Sequence, residues 1–117
     1  MTQETFDKAH FAMMTGNDNA LQVEIVDIFR TQAALWARQL IPDAPTGIWT
    51  DAAHTVKGSA RGLGLWRLAD ACELAERLGR AGAIEGSVVR AALERVRIEL
   101  DAALSAFDSY SRRGVAA

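Results

Sequence analysis

The sequence predicts an all-α protein: an antiparallel up-down four-helix bundle with a short additional N-terminal helix. Helix-favouring residues such as Ala, Leu, Glu, Arg and Gln dominate, both prolines fall within residues 42–45, and no segment alternates apolar and polar residues as a strand does. Long amphipathic helices with short connections pack as antiparallel neighbours. With 117 residues, the chain suits a single domain over residues 1–117, with a disordered tail from about residue 111 to 117.

Helix start and stop signals divide the chain into five segments. The first helix is expected over about residues 3–14 with Thr2 as its N-cap, and the second over about 19–41 with Asn17 or Asp18 as its cap. The third is expected over about 47–63 with Thr46 as its cap, the fourth over about 65–81, and the fifth over about 88–109. The predicted apolar stripe of the second helix comprises Leu21, Ile25, Ile28, Phe29, Trp36 and Leu40.

Composition disfavours several classes of protein. A net charge of −2 and a sequence pI near 5.6 do not suit a nucleic-acid binder, which favours clustered Lys and Arg. The single cysteine, Cys72, can form neither an internal disulfide nor a cysteine-rich zinc site, and His10 has no metal-ligand partner at suitable spacing, so no metal site is expected. The polar N-terminus does not resemble a signal peptide, and no apolar run is long enough to span a membrane. A cytoplasmic protein is therefore expected.

His54 is predicted to face solvent in the middle of the third helix. The apolar residues of this helix form one stripe at about 100° per residue; they are Trp49, Ala52, Ala53, Val56, Ala60 and Leu63. On the same helical wheel His54 lies about 160° from the centre of that stripe. Gly58 and Arg61 share the outer face with His54, and Lys57 lies on its flank.

Gly58 suggests that something must approach His54 closely. Glycine inside a helix costs roughly 1 kcal/mol relative to alanine, and an exposed glycine gains nothing from packing. Open space and the Lys57 cation beside an exposed imidazole would suit a phosphoryl group on a ring nitrogen. The alternative is an ordinary surface histidine, with Lys57 and Arg61 as solvated residues that oppose Asp51 and other acids.

Residues 53–76, "AHTVKGSARGLGLWRLADACELAE", resemble the signature of histidine phosphotransfer (HPt) domains of two-component phosphorelays. The family pattern is His, two residues, Lys-Gly, a small residue or two, a Leu-Gly turn and a helix bearing Leu, Cys and Glu. The matching residues are His54, Lys57, Gly58, Ser59, Ala60, Leu63, Gly64, Leu68, Cys72 and Glu73. The resemblance implies a phosphocarrier in which Nε2 of His54 accepts a phosphoryl group from one receiver aspartate and passes it to another. It also implies that Lys57 offsets phosphoryl charge and that Gly58 leaves room. Arg61 is not a fixed position of the family, and its place at i+7 suggests a phosphate or partner contact.

The resemblance further implies partners and cofactors. The expected partners are receiver domains of response regulators and of a hybrid histidine kinase, and the carrier is expected to be a monomer. No cofactor is expected on this chain, because in this family the receiver supplies the Mg²⁺ site. The sequence has no glycine-rich nucleotide loop and no carboxylate cluster for a metal, so neither ATP binding nor self-phosphorylation is expected.

Residues beside His54 are candidates for partner contact. Gln32 is expected level with His54, where it would either bond near the imidazole or meet the partner, or simply keep its amide in water. The candidate docking residues are Phe29, Ala33, Trp36, Asp51 and Thr55. Phe29, Ala33 and Trp36 taken singly also suit core packing. The acids of the fourth helix, Asp70, Glu73 and Glu76, are expected to be solvated or paired with Arg67, Arg77 and Arg80.

Two alternatives to the phosphocarrier remain. One is a dimerising histidine-phosphotransfer relative of kinases, which gel filtration would distinguish from a monomer. The other is a non-catalytic helical adaptor bundle, which would take no label from a phosphorylated receiver.

Overall fold

Five α-helices make up the fold. The computed structural model describes residues 3–82 and 85–116, with side chains described as far as residue 110. The helices are α1 (Lys8–Thr15), α2 (Asn19–Gln39), α3 (Thr46–Leu63), α4 (Trp66–Arg80) and α5 (Gly86–Ala116), and the described residues contain no strand. Helices α2 to α5 form the antiparallel bundle and α1 is the additional N-terminal helix, so the predicted fold is confirmed.

The helix boundaries follow local capping chemistry. Asp18 accepts a hydrogen bond from the Leu21 amide at 3.0 Å and so caps α2, one of the two caps predicted. α3 begins at Thr46 itself after Pro45, without a side-chain cap, so the prediction of Thr46 as the cap is wrong. α3 ends at Gly64, whose φ of 79° is the left-handed conformation that glycine adopts without strain.

The first helix starts later than predicted because Asp7 caps it. Asp7 accepts from the His10 amide at 3.0 Å and from the Trp66 indole at 3.0 Å, and its own amide donates to the Gly64 carbonyl. These bonds fasten the start of α1 to the turn between α3 and α4, and residues 3–7 remain non-helical. The predicted cap, Thr2, lies outside the described residues.

The last helix is longer than predicted. α5 starts at Gly86 and its backbone stays helical to Ala116, beyond the expected end near residue 109. The side chains of residues 111–117 lie outside the described part, and a disordered tail there stays a prediction. No helix in the described ranges is long and apolar enough to cross a membrane.

The predicted stripe of α3 is confirmed. All six of its residues are buried, and Ala53, Val56 and Ala60 are fully so. The small alanines let α4 come close, and the approach is tightest at Gly79, where an added Cβ would lie 1.9 Å from Oγ1 of Thr50. α3 and α4 are therefore held in a fixed register.

The stripe of α2 differs from the prediction. Leu21 is 39% exposed and Ile28 is 56% exposed, whereas Gln22, which was not assigned to the stripe, is buried. Gln22 is accommodated because it donates to Thr15 at 2.8 Å and accepts from the Tyr110 hydroxyl at 3.1 Å. Compared with the prediction, α2 is rotated about its axis so that Gln22 faces the core, and Ile28 is left on the surface beside α3.

Candidate functional site

His54 is exposed in the middle of α3, as the helical wheel predicts. Its side chain is 60% exposed, and it points away from the buried alanine stripe. The imidazole is anchored to α4, since its Nδ1 lies 2.8 Å from Oε2 of Glu76. The exposed ring is thus held in one orientation.

Glu76 fixes the tautomer of that ring. Its side chain is only 7% exposed, and it also contacts Lys57 at 2.5 Å and Arg80 at 2.7 Å. The Lys57 hydrogen bond is the largest cause that lowers the pKa of Glu76 from 4.5 to about 2, against the opposing effect of burial, with Arg80 and His54 adding to it. An ionised carboxylate can only accept hydrogen bonds, so Nδ1 of His54 must donate. Nε2 of a neutral imidazole then carries the free lone pair.

The sequence-based picture of Glu76 as a solvated or arginine-paired acid is therefore incomplete. The predicted pairing with Arg80 is present, but Glu76 is buried rather than solvated. Its contacts with His54 and Lys57 were not predicted. The available signal was weak: Glu76 follows the buried Ala75 and closes the motif segment, 22 residues from His54.

Lys57, expected on the flank of the outer face, is largely buried rather than solvated. Its side chain is 14% exposed and lies 2.5 Å from Glu76 and 3.4 Å from Glu73. The hydrogen bond to Glu76 raises the pKa of Lys57, so its charge is firmly retained. The structure places Lys57 within reach of both carboxylates, beneath the surface on which His54 stands.

Gly58 opens the surface beside His54. A Cβ added there would meet nothing within 4 Å, which leaves this part of the outer face free for another molecule. Arg61 is 56% exposed on the same face and donates to Glu73 at 3.0 Å.

The arginines of α4 pair partly as predicted. Arg77 contacts Glu73 at 3.2 Å, but Arg67 reaches across to Glu99 on α5 at 3.0 Å rather than to an acid of α4. Glu99 is buried, and a cation must compensate its charge there.

An apolar cleft of about 350 Å³ runs between α2 and α3. Its lining comprises Ile25, Ile28, Phe29, Gln32, Trp36, Thr55, Ser59 and Leu63. Thr55 directly follows His54 in the chain, so the cleft adjoins the exposed imidazole. Gln32 is exposed and lines this cleft together with Thr55.

The candidate docking residues divide into two groups. Phe29 and Trp36 form part of the cleft lining but are only 3% and 8% exposed, and Ala33 is buried in the core and does not line the cleft. Asp51 and Thr55 are exposed and line a second, smaller cleft of about 270 Å³, which Trp36 also lines. The sequence reasoning missed Ile28 as a surface residue, because it assigned Ile28 to the buried stripe.

Among the described residues, no group of three or more His, Cys, Asp or Glu side chains could hold a metal ion. Cys72 is fully buried, and burial raises the pKa of its thiol to about 12. The thiol is consequently not a nucleophile at neutral pH.

Comparison with known proteins explains this arrangement. The family profile described as "Hpt domain" matches residues 24–109, which is most of the chain. The chain belongs to the Hpt family. The crystal structure of the histidine phosphotransferase ShpA from Caulobacter crescentus is similar to this Hpt protein, with a TM-score of 0.74 and 38% identity over 96% of this chain and 95% of that one. A search of curated proteins found no match.

Membership confirms the predicted class of function. The Hpt protein has a histidine phosphotransfer role in a phosphorelay, and Hpt proteins are phosphocarriers rather than kinases. An Hpt domain also implies interaction with receiver domains of two-component systems.

The burial of ionised Glu76 predicts a pH-dependent contribution to stability. A carboxylate whose pKa is lowered on folding stabilises the fold above its unfolded pKa, and this contribution is lost as the pH falls from about 4.5 towards 2. Glu76→Gln should therefore lower the free energy of unfolding by roughly 1–3 kcal/mol near pH 7, and the deficit should shrink by about pH 3. Urea denaturation of both proteins at pH 7 and pH 3 measures this difference in the free energy of unfolding.

Asp70→Asn is the matched control, since Asp70 is an exposed acid on the same helix. It should leave the unfolding free energy nearly unchanged at both pH values. A deficit for Glu76→Gln that is equal at both would contradict the ionised state of Glu76.

Proposed function

We propose that His54 is the residue that carries the phosphoryl group in this Hpt protein. One observation supports the proposal above the others: an exposed imidazole whose Nδ1 donates to the buried, ionised Glu76, which leaves Nε2 directed at solvent as a nucleophile. The matched family and the similar histidine phosphotransferase supply the reaction that such a nucleophile would perform.

The proposed transfer requires no proton to move. The lone pair of Nε2 attacks the phosphorus of an aspartyl phosphate on a receiver domain, a P–N bond forms, and the P–O bond breaks with its electrons passing to the aspartate carboxylate. Nδ1 keeps its proton throughout, and the positive charge that develops on the ring is balanced by Glu76 at 2.8 Å. Transfer to the next receiver aspartate is the same step in reverse. In-line placement of the reacting groups and balance of their charges accelerate this phosphoryl transfer.

The chain is proposed to act as a stoichiometric carrier without ATP-dependent kinase activity. The sequence offers no glycine-rich nucleotide loop. Mg²⁺ is expected on the partner receiver, and none is assigned to this chain. Donor and acceptor would be the receiver of a hybrid histidine kinase and that of a response regulator.

The residues around His54 have distinct proposed roles. Gly58 gives the phosphoryl group and the partner room, in keeping with the open space above it. Lys57 holds Glu76 and thereby supports the phosphate site from below. Arg61, on the same outer face, is a candidate contact for the partner rim.

The cleft between α2 and α3 is the proposed docking surface for the receiver. It adjoins His54, and Ile28 stands 56% exposed on its wall with Gln32 and Thr55 nearby. An apolar surface of this kind next to a reactive group is typical of a protein interaction site. We place the carrier in the cytoplasm as a monomer, because a reducing compartment suits the lone Cys72 thiol and a free His54 face must remain open to receivers.

His54→Gln should abolish phosphoryl transfer. Glutamine can still donate to Glu76 and so keeps the fold, but it has no ring nitrogen to attack phosphorus. The measurement incubates each protein with a phosphorylated receiver domain and follows an acid-labile, base-stable label. A label that persists in His54→Gln would assign the site to another residue.

Gly58→Leu should slow transfer without unfolding the bundle. The open space at Gly58 accepts the side chain, and leucine is favoured over glycine in a helix by up to about 1 kcal/mol, so thermal stability should hold or rise. Transfer from a phosphorylated receiver should fall by about tenfold or more, because the side chain occupies the partner's approach.

Gly47→Leu provides the control, since Gly47 is a second α3 glycine with nothing within 4 Å of an added Cβ. It should transfer at the rate of the unmodified protein. Equal rates for both variants would refute the clearance role of Gly58.

Ile28→Gln should weaken receiver docking while leaving His54 itself reactive. Loss of one apolar side chain that the receiver buries on docking costs about 1–2 kcal/mol, so the receiver concentration for half-maximal transfer should rise about tenfold. Labelling by a small phosphoryl donor such as phosphoramidate should be unchanged. Ile98→Gln is the matched control, because Ile98 is 58% exposed on α5. An equal effect of both variants would remove the cleft from the docking surface.

A further inference from the structure

Asp51 is an exposed acid that no cation of the described chain compensates. It is the only Asp or Glu of α3, and it forms no ion pair with any residue that the structure describes. The two cations of α3 are engaged elsewhere, since Lys57 contacts Glu76 at 2.5 Å and Arg61 contacts Glu73 at 3.0 Å. The carboxylate of Asp51 therefore faces solvent with its charge unbalanced.

Asp51 and Lys57 lie on opposite flanks of His54. At about 100° per residue, Asp51 is rotated about 60° from His54 to one side and Lys57 about 60° to the other. Lys57 is on the side of α4, whose carboxylates it contacts. Asp51 is on the side of α2, because Trp36 and Gln39 of α2 line the same cleft of about 270 Å³. His54 thus stands between a flank balanced by ion pairs and an acidic flank that is not.

A receiver that reaches His54 covers Asp51 as well. Residues three apart on a helix have Cβ atoms roughly 5–6 Å apart, whereas each partner of a typical protein interface buries about 800 Å². The cleft at Asp51 also shares Trp36 and Thr55 with the apolar cleft proposed as the docking surface. Docking would take water away from the Asp51 carboxylate, and a carboxylate that loses water without gaining a partner opposes association.

We propose that Asp51 favours receiver domains that place a Lys or Arg side chain against it. The inference rests on His54 as the phosphorylated residue and on receiver docking beside it. A receiver with such a cation forms an ion pair with Asp51, whereas an apolar residue there leaves the carboxylate unpaired and an acidic one repels it. Asp51 contacts the partner and not the phosphoryl group, so it determines which receiver docks and leaves the chemical step unchanged.

The test compares charge variants of Asp51 in transfer from a phosphorylated receiver domain. The probe is the receiver that, among those tested, labels the unmodified protein at the lowest concentration. Asp51→Asn should raise the receiver concentration for half-maximal transfer about threefold to tenfold at low salt, and Asp51→Lys should raise it further. Asp51→Glu keeps the charge and should restore most of the affinity. The maximal rate should stay within about twofold in every variant.

Two further readouts separate a partner contact from support of the fold. The effect of Asp51→Asn should vanish at about 0.5 M NaCl, because salt screens an exposed ion pair. Labelling by phosphoramidate, which requires no docking, should be unchanged. The hydrogen bond from the Thr55 hydroxyl goes to the backbone carbonyl of Asp51, so it survives each substitution.

Asp101→Asn is the matched control, since Asp101 is an exposed acid of α5. It should transfer like the unmodified protein. Half-maximal transfer to Asp51→Asn at the same or a lower receiver concentration than to the unmodified protein would overturn the inference, and so would an equal effect of Asp101→Asn. Neither result would affect the proposed function, because His54 would still take the label. Failure of the unmodified protein to take label from both phosphoramidate and a phosphorylated receiver would instead refute His54 as the carrier, and the inference with it.

Discussion

Glu76 is a carboxylate with little access to water, and its side chain can remain ionised there only because cations surround it. Lys57, Arg80 and the His54 ring all donate to it, and two of these three come from α3 while Glu76 itself belongs to α4. If α3 and α4 moved apart, the buried Glu76 carboxylate would lose the donors on α3. A buried charge without a partner strongly lowers the free energy of unfolding. The orientation of His54, the position of Lys57 and the charge of the outer face all follow from this one group.

The same arrangement explains how an exposed histidine can act as a reversible carrier. A surface imidazole with free rotation would exchange tautomers and present either nitrogen. Here the acceptor at 2.8 Å selects one nitrogen and balances the charge that the ring acquires. The protein contributes orientation and electrostatics, and the remaining chemistry belongs to the partner.

Sequence periodicity predicted the parts of the fold that depend on one helix at a time. The α3 stripe was correct because Ala52, Val56 and Ala60 leave no competing apolar face on that helix. On α2 two neighbouring faces are apolar, and the choice between them depends on Gln22, whose bonds reach α1 and α5. A single-helix pattern contains no information on such partners.

In the site, too, features that depend on one helix could be predicted and features that depend on a contact between two helices could not. Exposure of His54 and the open space at Gly58 could be predicted, since both depend on position around α3. Burial of Lys57 and Glu76 could not, because each is buried by the other across the contact between α3 and α4. Arg80 was expected only as a partner of an α4 acid, and its nearness to His54 appears once that acid is seen to bridge them.

The close contact between Thr50 and Gly79 has a consequence for the site that it does not touch. Thr50 lies one turn before His54 on α3, and Gly79 lies about one turn after Glu76 on α4. A Cβ added at Gly79 would lie 1.9 Å from Oγ1 of Thr50, so the close approach of the two helices at this point requires glycine. A slide of α4 by a fraction of a turn would separate the imidazole from its acceptor. A side chain at position 79 would therefore disturb the alignment of His54 with Glu76, while every reactive group of the site would still be present.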